Sequence, residues 1–276
     1  MMSVDDAVRA LRADPDYAEM VYYSYLDEDL AGSGERFLAS GEFRETCALI
    51  EGRHRGGVVI DLGAGTGIAA YAFAKSGARL VHAVEPDPSD LVGRGAINIL
   101  CAGLPVEIVD AIGAGIPLPD QSADVIYARQ VLHHIKDLPD AMLECARLLK
   151  PGGYFIACRE HVVNDAEQMR IFLQNHPMHQ RAGNEGAHSL SAYQAAIEDA
   201  GLQLVRTLGP WESVINAFPM VQTQAELDHF ARAALTRKLG ILGEWLGRIP
   251  QIERWMWSRI DRPVPGRLYA FLARKP

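Results

Sequence analysis

Val58-Val59-Ile60-Asp61-Leu62-Gly63-Ala64-Gly65-Thr66-Gly67 is the stretch on which the reading of the fold turns. It opens with β-branched apolar residues, as a strand buried on both faces requires. It ends in an acid and then in three glycines at alternate positions. Glycine tolerates φ > 0 and lets a ligand approach the backbone, so the spacing predicts a tight strand-to-helix turn. A helix is expected to follow over residues 67–76. Open α/β sheets bind ligands at the carboxyl ends of their strands, so a nucleotide-type site is expected here.

Outward from this turn the chain alternates strand and helix. Strands are expected over 79–84, 105–109, 123–128 and 154–158, with helices over 90–101 and 138–149 between them and a turn at Lys150-Pro151-Gly152-Gly153. Such alternation predicts a parallel sheet covered by helices on both faces. Upstream, residues 1–55 read as a helical cap, with helices over 5–12 and 35–50. Between these helices lies an aromatic segment, Tyr17, Met20, Tyr22, Tyr23 and Tyr25, suited to packing on the main domain or to closing over a substrate. Downstream, the core is expected to run over 56–210, including a polar lid at 160–188 with a short helix over 166–174. A helix at 189–200 and a strand at 202–208 follow. Residues 211–265 read as a helical insertion, and 266–276 contain a last strand at 267–273.

Composition narrows the class. The chain has 276 residues, 49% of them hydrophobic, enough for a sizeable core in one medium domain with additions. A net charge of −8 argues against nonspecific nucleic-acid binding, which needs clustered Lys and Arg. From Arg232 onward there are ten Lys/Arg against three Asp/Glu, leaving about −15 on the rest. In this basic stretch, Trp245, Trp255 and Trp257 mix with Arg248, Arg254, Arg259 and Arg262. Packing on the core or on a second copy in a homodimer is the expectation, and peripheral membrane contact is the alternative. Cys47, Cys101, Cys145 and Cys158 are widely spaced in apolar surroundings, as reduced cytoplasmic thiols are. No apolar run reaches about 18 residues and no signal-peptide pattern opens the chain, so a soluble cytoplasmic protein is expected.

A dinucleotide turn of the form G-x-G-x-x-G needs glycine at position 68, where this chain has Ile68. A carboxylate at Asp61 would repel a pyrophosphate, but it suits a positively charged ligand such as S-adenosyl-L-methionine (SAM). Further signals follow in order: Glu85 after the second strand, Asp110-Ala111 after the third, Ile116-Pro117-Leu118-Pro119-Asp120 before the fourth, and Leu149-Lys150-Pro151-Gly152-Gly153 before the fifth. With these, the chain resembles the class I SAM-dependent methyltransferases across about residues 56–160. The resemblance implies a seven-stranded Rossmann-like, doubly wound sheet, mostly parallel, whose last strand is antiparallel. It places the cofactor on Asp61, Gly63, Ala64, Gly65, Gly67, Glu85, Pro86, Asp110, Ala111 and Arg129. Glu85 would accept the ribose hydroxyls and Asp110 the adenine amino group. The product would be S-adenosyl-L-homocysteine.

Methyl transfer is an in-line displacement, and a hydroxyl nucleophile benefits from a base. His161 and His134 are the candidates, with His133 beside the latter. Arg129 is suited to an anionic group or to pairing with an acid. The H-x-x-H of His176 and His179, followed by Glu185 and His188, lies in a loop beside Pro177 without the spacing of known zinc motifs, so no metal is expected. The expected activity is methyl transfer to a small polar metabolite. An oxygen of a sugar or glycan precursor is preferred, because residues 160–218 resemble methyltransferases of polysaccharide clusters. A SAM-binding regulator or partner protein without turnover is the alternative.

Overall fold

The computed structural model describes residues 1–183, 185–240, 245 and 264–276. The glycine turn sits where expected, between β1 (Val58–Leu62) and α5 (Ile68–Lys75). The other strands are β2 (Leu80–Val84), β3 (Val106–Val109), β4 (Ala123–Arg129), β5 (Leu149–Val162), β6 (Gln203–Leu208) and β7 (Arg267–Arg274). They form one seven-stranded sheet in the order β3-β2-β1-β4-β5-β7-β6. The first five pair in parallel, and β7 lies antiparallel between β5 and β6. This is the sheet expected from the sequence.

Neighbouring residues on the central strands point to opposite faces, which builds two cores. On one face Val59, Tyr127 and Ile156 pack with Phe37, Phe43 and Phe73. These phenylalanines come from α3 (Leu30–Ala39), α4 (Gly41–Leu49) and α5. On the other face Ile60, Ile126 and Phe155 meet Met142 and Leu148 of α7 (Leu138–Leu148) and Tyr193 and Ile197 of α10 (Leu190–Asp199). A smaller cluster over the ligand end joins Ala7, Val8 and Leu11 of α1 (Val4–Ala13) to Met178 of α9 (Pro177–Ala182). The N-terminal cap and the downstream lid therefore touch each other.

Several boundaries differ from the expectation for local reasons. The single helix expected over 35–50 is two, divided at Ser40, whose backbone is extended and whose Oγ accepts the Phe43 N–H at 3.0 Å. A side chain at Gly41 would fall 2.0 Å from the Gln222 carbonyl, so the chains can meet there only through glycine. The helix expected from Asp90 starts at Arg94 (α6, Arg94–Leu100), because the Asp87 and Ser89 side chains hold a preceding turn. The lid carries two helices, α8 (Ala166–Asn175) and α9. Helix α2 (Ala18–Tyr22) lies in the aromatic segment, and the insertion begins with α11 (Val214–Ala217) and α12 (Gln224–Leu239). Most of the basic, tryptophan-rich stretch lies outside the described residues. Among the described residues no helix is long and apolar enough to cross a membrane.

The main departure is β5. It runs past Cys158, and its pairing with β7 shifts between Ala157 and Glu160, so that three steps on β5 match two on β7. Arg159 takes the left-handed conformation, φ +61°, at this bulge. Bulges re-aim side chains, and here one inserted residue turns Arg159 and Glu160 to new partners.

One buried ion pair fastens the cap to the sheet. Arg129, at the end of β4, gives bidentate hydrogen bonds of 2.6 and 3.0 Å to Glu42 of α4, and the Glu42 side chain is fully buried. Removing one partner leaves a buried, unpaired charge. Glu42→Ala is therefore expected to cost about 3 kcal/mol or more in denaturant unfolding. The double variant Glu42→Leu/Arg129→Met should recover part of that loss, and a neutral Glu42→Ala would mean the pair is solvated.

Candidate functional site

The carboxyl ends of β1, β2 and β4 enclose a cavity of about 390 Å³, within the range of small-molecule pockets. Asp61, Gly63, Ala64, Gly65, Glu85, Pro86, Ala111, Arg129 and His134 all line it, together with Gln130 and Val131. Two expected residues stand apart. Gly67 is the left-handed N-cap of α5 and packs against Ile97 and Cys101. The Asp110 side chain is mostly exposed and paired with Arg94, so Ala111 represents that segment in the lining.

The glycines serve different ends. A Cβ at Gly63 would lie 2.2 Å from Val131 Cγ2, so packing against the β4 loop requires glycine. At Gly65 the nearest atom to such a Cβ is 3.9 Å away, leaving the backbone open to the cavity at φ +56°. Glu85 holds this open segment: its Oε2 accepts the Gly65 N–H at 2.8 Å and its Oε1 the Asp87 N–H at 2.9 Å. Each oxygen keeps a lone pair for a ligand. Burial raises the Glu85 carboxyl above its ordinary value, and the two backbone bonds offset part of that shift.

Asp61 is 2% exposed, its Oδ2 has no hydrogen-bond partner, and among the described residues no Lys or Arg forms an ion pair with it. Burial pushes the carboxyl up to about 7, with Glu85 adding to the rise. A buried acid without a cation beside a cavity fits a positively charged ligand.

A second cavity of about 160 Å³ adjoins the first and shares Tyr25, Arg129, Gln130 and His134 with it. Its other walls include Tyr23, His133, Arg159, His161, His176 and Glu185. The aromatic segment thus supplies one wall, the β5 bulge another and the lid a third. Arg129, read as suited to an anionic group or to pairing with an acid, is paired with Glu42. Arg159, which the sequence reading passed over, is half-buried and bonds to the Ile215 and Phe218 carbonyls. Among the described residues no carboxylate lies within ion-pair distance of it. Its Nε is buried without a hydrogen-bond partner, and burial lowers its pKa.

The histidines divide into distinct roles. The His161 Nδ1–H donates to the Gly266 carbonyl at 2.7 Å, and burial together with the neighbouring His133 holds the ring down to about 3. Such a ring stays neutral and is a weak base. His133 lies between two acids, with Nδ1 2.8 Å from Glu160 and Nε2 3.5 Å from Glu185. Burial alone would lower its pKa, but these carboxylates raise it to about 9. Glu185 also faces His134 Nε2 at 3.6 Å and His176 Nδ1 at 3.7 Å. Burial would raise the Glu185 carboxyl, yet the imidazoles bring it down to about 2. Of the loop set read as lacking a metal pattern, His176 and Glu185 meet here, whereas His188 Nε2 contacts the Ile135 carbonyl at 3.0 Å.

Known proteins agree with this architecture. The family profile described as "Methyltransferase domain" matches residues 60–157. The dimethylglycine N-methyltransferase of Parasynechococcus marenigrum is 28% identical over 256 residues, covering 88% of this chain and 86% of its own. Uncharacterized methyltransferases of Mycobacterium leprae and Mycobacterium ulcerans are 33–35% identical, but the alignments span little more than a third of those chains. A geranyl diphosphate methyltransferase in complex with SAM superposes with a TM-score of 0.55 at 14% identity, covering 91% of this chain and 93% of that one. The [4+2]-cyclase SpnF gives 0.54 at 21% identity, with 84% and 80% covered. A seven-stranded sheet with an antiparallel β7, a glycine turn and strand-end acids defines a Rossmann-like fold with a ligand cavity at its strand ends. Across this core the chain resembles the class I SAM-dependent methyltransferases, and it is a SAM-dependent methyltransferase acting on a small molecule.

The raised Asp61 carboxyl has a consequence for stability. Because its folded-state pKa lies above the ordinary value, the fold prefers the neutral form. That contribution is complete below about pH 4 and is lost as pH rises through 7, on the order of a few kcal/mol. Without ligand, Asp61→Asn is expected to unfold at higher urea than wild type at about pH 8, with the gap closing toward pH 5. Parallel curves would mean a solvated carboxyl.

Proposed function

We propose that this enzyme methylates the amine nitrogen of a small acceptor that carries a carboxylate. The carrying observation is Arg159: a guanidinium on the wall of the second cavity, bonded to carbonyls and without a carboxylate partner among the described residues. A carboxylate is the acceptor group that such a planar donor binds best. Tyr23 and Tyr25 line the same cavity, and aromatic rings suit an alkylated ammonium. The long alignment with a dimethylglycine N-methyltransferase supports the same class of acceptor.

When bound, SAM supplies an electrophilic methyl group. Asp61 would provide negative charge at the turn, Glu85, whose backbone bonds hold Gly65, would accept from the ribose hydroxyls, and Pro86 and Ala111 would belong to the same pocket. In this reading Gly67 shapes the turn as a helix cap, and Asp110 acts through Arg94. The step then depends on alignment between the two cavities at Tyr25, Gln130 and His134. A neutral amine can attack without a base, which suits a site whose His161 is held down to about 3. The glycan hydroxyl suggested by residues 160–218 is the second reading. It would draw on His134, the histidine common to both cavities, as base.

Glu85→Ala is expected to weaken SAM binding roughly 100-fold by calorimetry, because two charge-assisted bonds are lost. Near-normal affinity would remove the ribose assignment. A turnover panel of N-methylated amino acids, their amides, and free and nucleotide-linked sugars decides between acceptors. Turnover is expected only with the free carboxylates, and Arg159→Met should raise their KM at least ~30-fold while SAM still binds. Turnover of sugars, or an unchanged KM in the variant, would overturn the carboxylate reading.

A further inference from the structure

We propose that His133, His134 and Glu185, with His176 beside them, form a site for one divalent first-row transition-metal ion on the wall of the acceptor cavity. The one-ligand-per-residue set of His133, His134 and Glu185 has its donor atoms within 4.8 Å of one another. Two separations are already short: His133 Nε2 and His134 Nε2 lie 3.5 and 3.6 Å from the same Glu185 oxygen. An ion with bonds of about 2.0–2.2 Å holds adjacent donors roughly 3.0–3.5 Å apart, so these pairs need little movement. Two imidazoles and a carboxylate with open positions form a donor set that first-row divalent ions accept.

Three further observations point to a ligand there. First, Glu160 takes the inner nitrogen of His133: Oε2 lies 2.8 Å from Nδ1 and also accepts the His133 N–H at 3.1 Å, while Oε1 accepts the Val131 N–H. A carboxylate on the far nitrogen keeps Nδ1 protonated, so that a metal displacing the Nε2 proton would meet a lone pair aimed outward, as behind metal-bound histidines. Second, His176 Nδ1 is sealed from solvent with no hydrogen bond, and its nearest charged neighbour is the other Glu185 oxygen at 3.7 Å. Third, Glu160 is buried and the Glu185 side chain is only 6% exposed, and among the described residues neither is paired with Lys or Arg. Two buried negative charges compensated by imidazoles alone leave room for a cation.

The elements converge from far apart in sequence. His133 and His134 follow β4, Glu160 is delivered by the β5 bulge, and His176 and Glu185 come from the lid. A bound ion would cross-link lid to sheet on the wall of the cavity that Arg159 also lines, where its open positions suit an anionic or chelating oxygen. The proposal is independent of which acceptor the enzyme takes.

The test uses the full, untagged chain, stripped with chelator, dialysed and titrated with cobalt(II) chloride without SAM. The expected result is saturable binding of one Co²⁺ per chain by calorimetry, with visible d–d absorption from nitrogen and oxygen ligands. Glu185→Gln and, independently, His176→Ala should weaken binding at least tenfold while both variants still bind S-adenosylhomocysteine, which shows that they fold. Absence of saturable binding by the wild-type chain would overturn the site and leave a His133 imidazolium between two carboxylates. Stoichiometric binding unchanged in the variant or variants that retain S-adenosylhomocysteine binding would place the metal elsewhere and overturn it equally.

Discussion

A buried carboxylate must find a positive partner or surrender its charge, and this requirement organises the ligand end of the protein. Asp61, Glu85 and Glu185 line the two joined cavities and Glu160 lies behind them against His133, and none is paired with Lys or Arg among the described residues. The cations nearby are committed differently. Arg129 is saturated by Glu42, and Arg159 by carbonyls on one side with the cavity on the other. The fold thus leaves part of its charge balance to what binds. A sulfonium or ammonium can compensate Asp61, an acceptor carboxylate can compensate Arg159, and the Glu160–Glu185 pair draws on imidazoles.

The bulge in β5 links this electrostatic arrangement to the sheet. Without the extra residue, the alternation that buries Phe155 and Ile156 on opposite faces would carry on through Arg159 and Glu160. With it, Glu160 turns toward the loop after β4, and Arg159 reaches the acceptor cavity. One irregularity on a central strand therefore supplies the cation of the acceptor site and the acid that orients His133. Placing these groups on a strand rather than a free loop gives them the rigidity of the core.

The glycine turn and the strand-end acids that line the first cavity were legible in the sequence because they depend on local signals. An apolar strand, a terminal acid and glycines at fixed positions require only short-range geometry, as does an acid at the end of the next strand. The acceptor half depends on contacts between distant segments. Glu42 meets Arg129 across 87 residues, and Glu185 meets His133 from the lid. No periodicity marks a bulge beyond Cys158, because the strand's apolar run has already ended there. The single helix expected over 35–50 failed for a related reason: Ser40 and Gly41 read as mild interruptions, yet a tertiary approach of Gln222 makes the break obligatory. Asp110 shows the converse, since a strand-end acid at a suggestive position was claimed by Arg94.

Charge completion by the cofactor is the central claim, and proton release on SAM binding measures it directly. With an Asp61 carboxyl pushed up to about 7, much of that group is protonated in the free enzyme at pH 6.5 and ionised beside a cationic ligand. Calorimetric titrations in buffers of different ionisation enthalpy are predicted to show roughly half a proton or more released per SAM bound, and markedly less for Asp61→Asn. Equal release by wild type and variant, or none by either, would contradict the account.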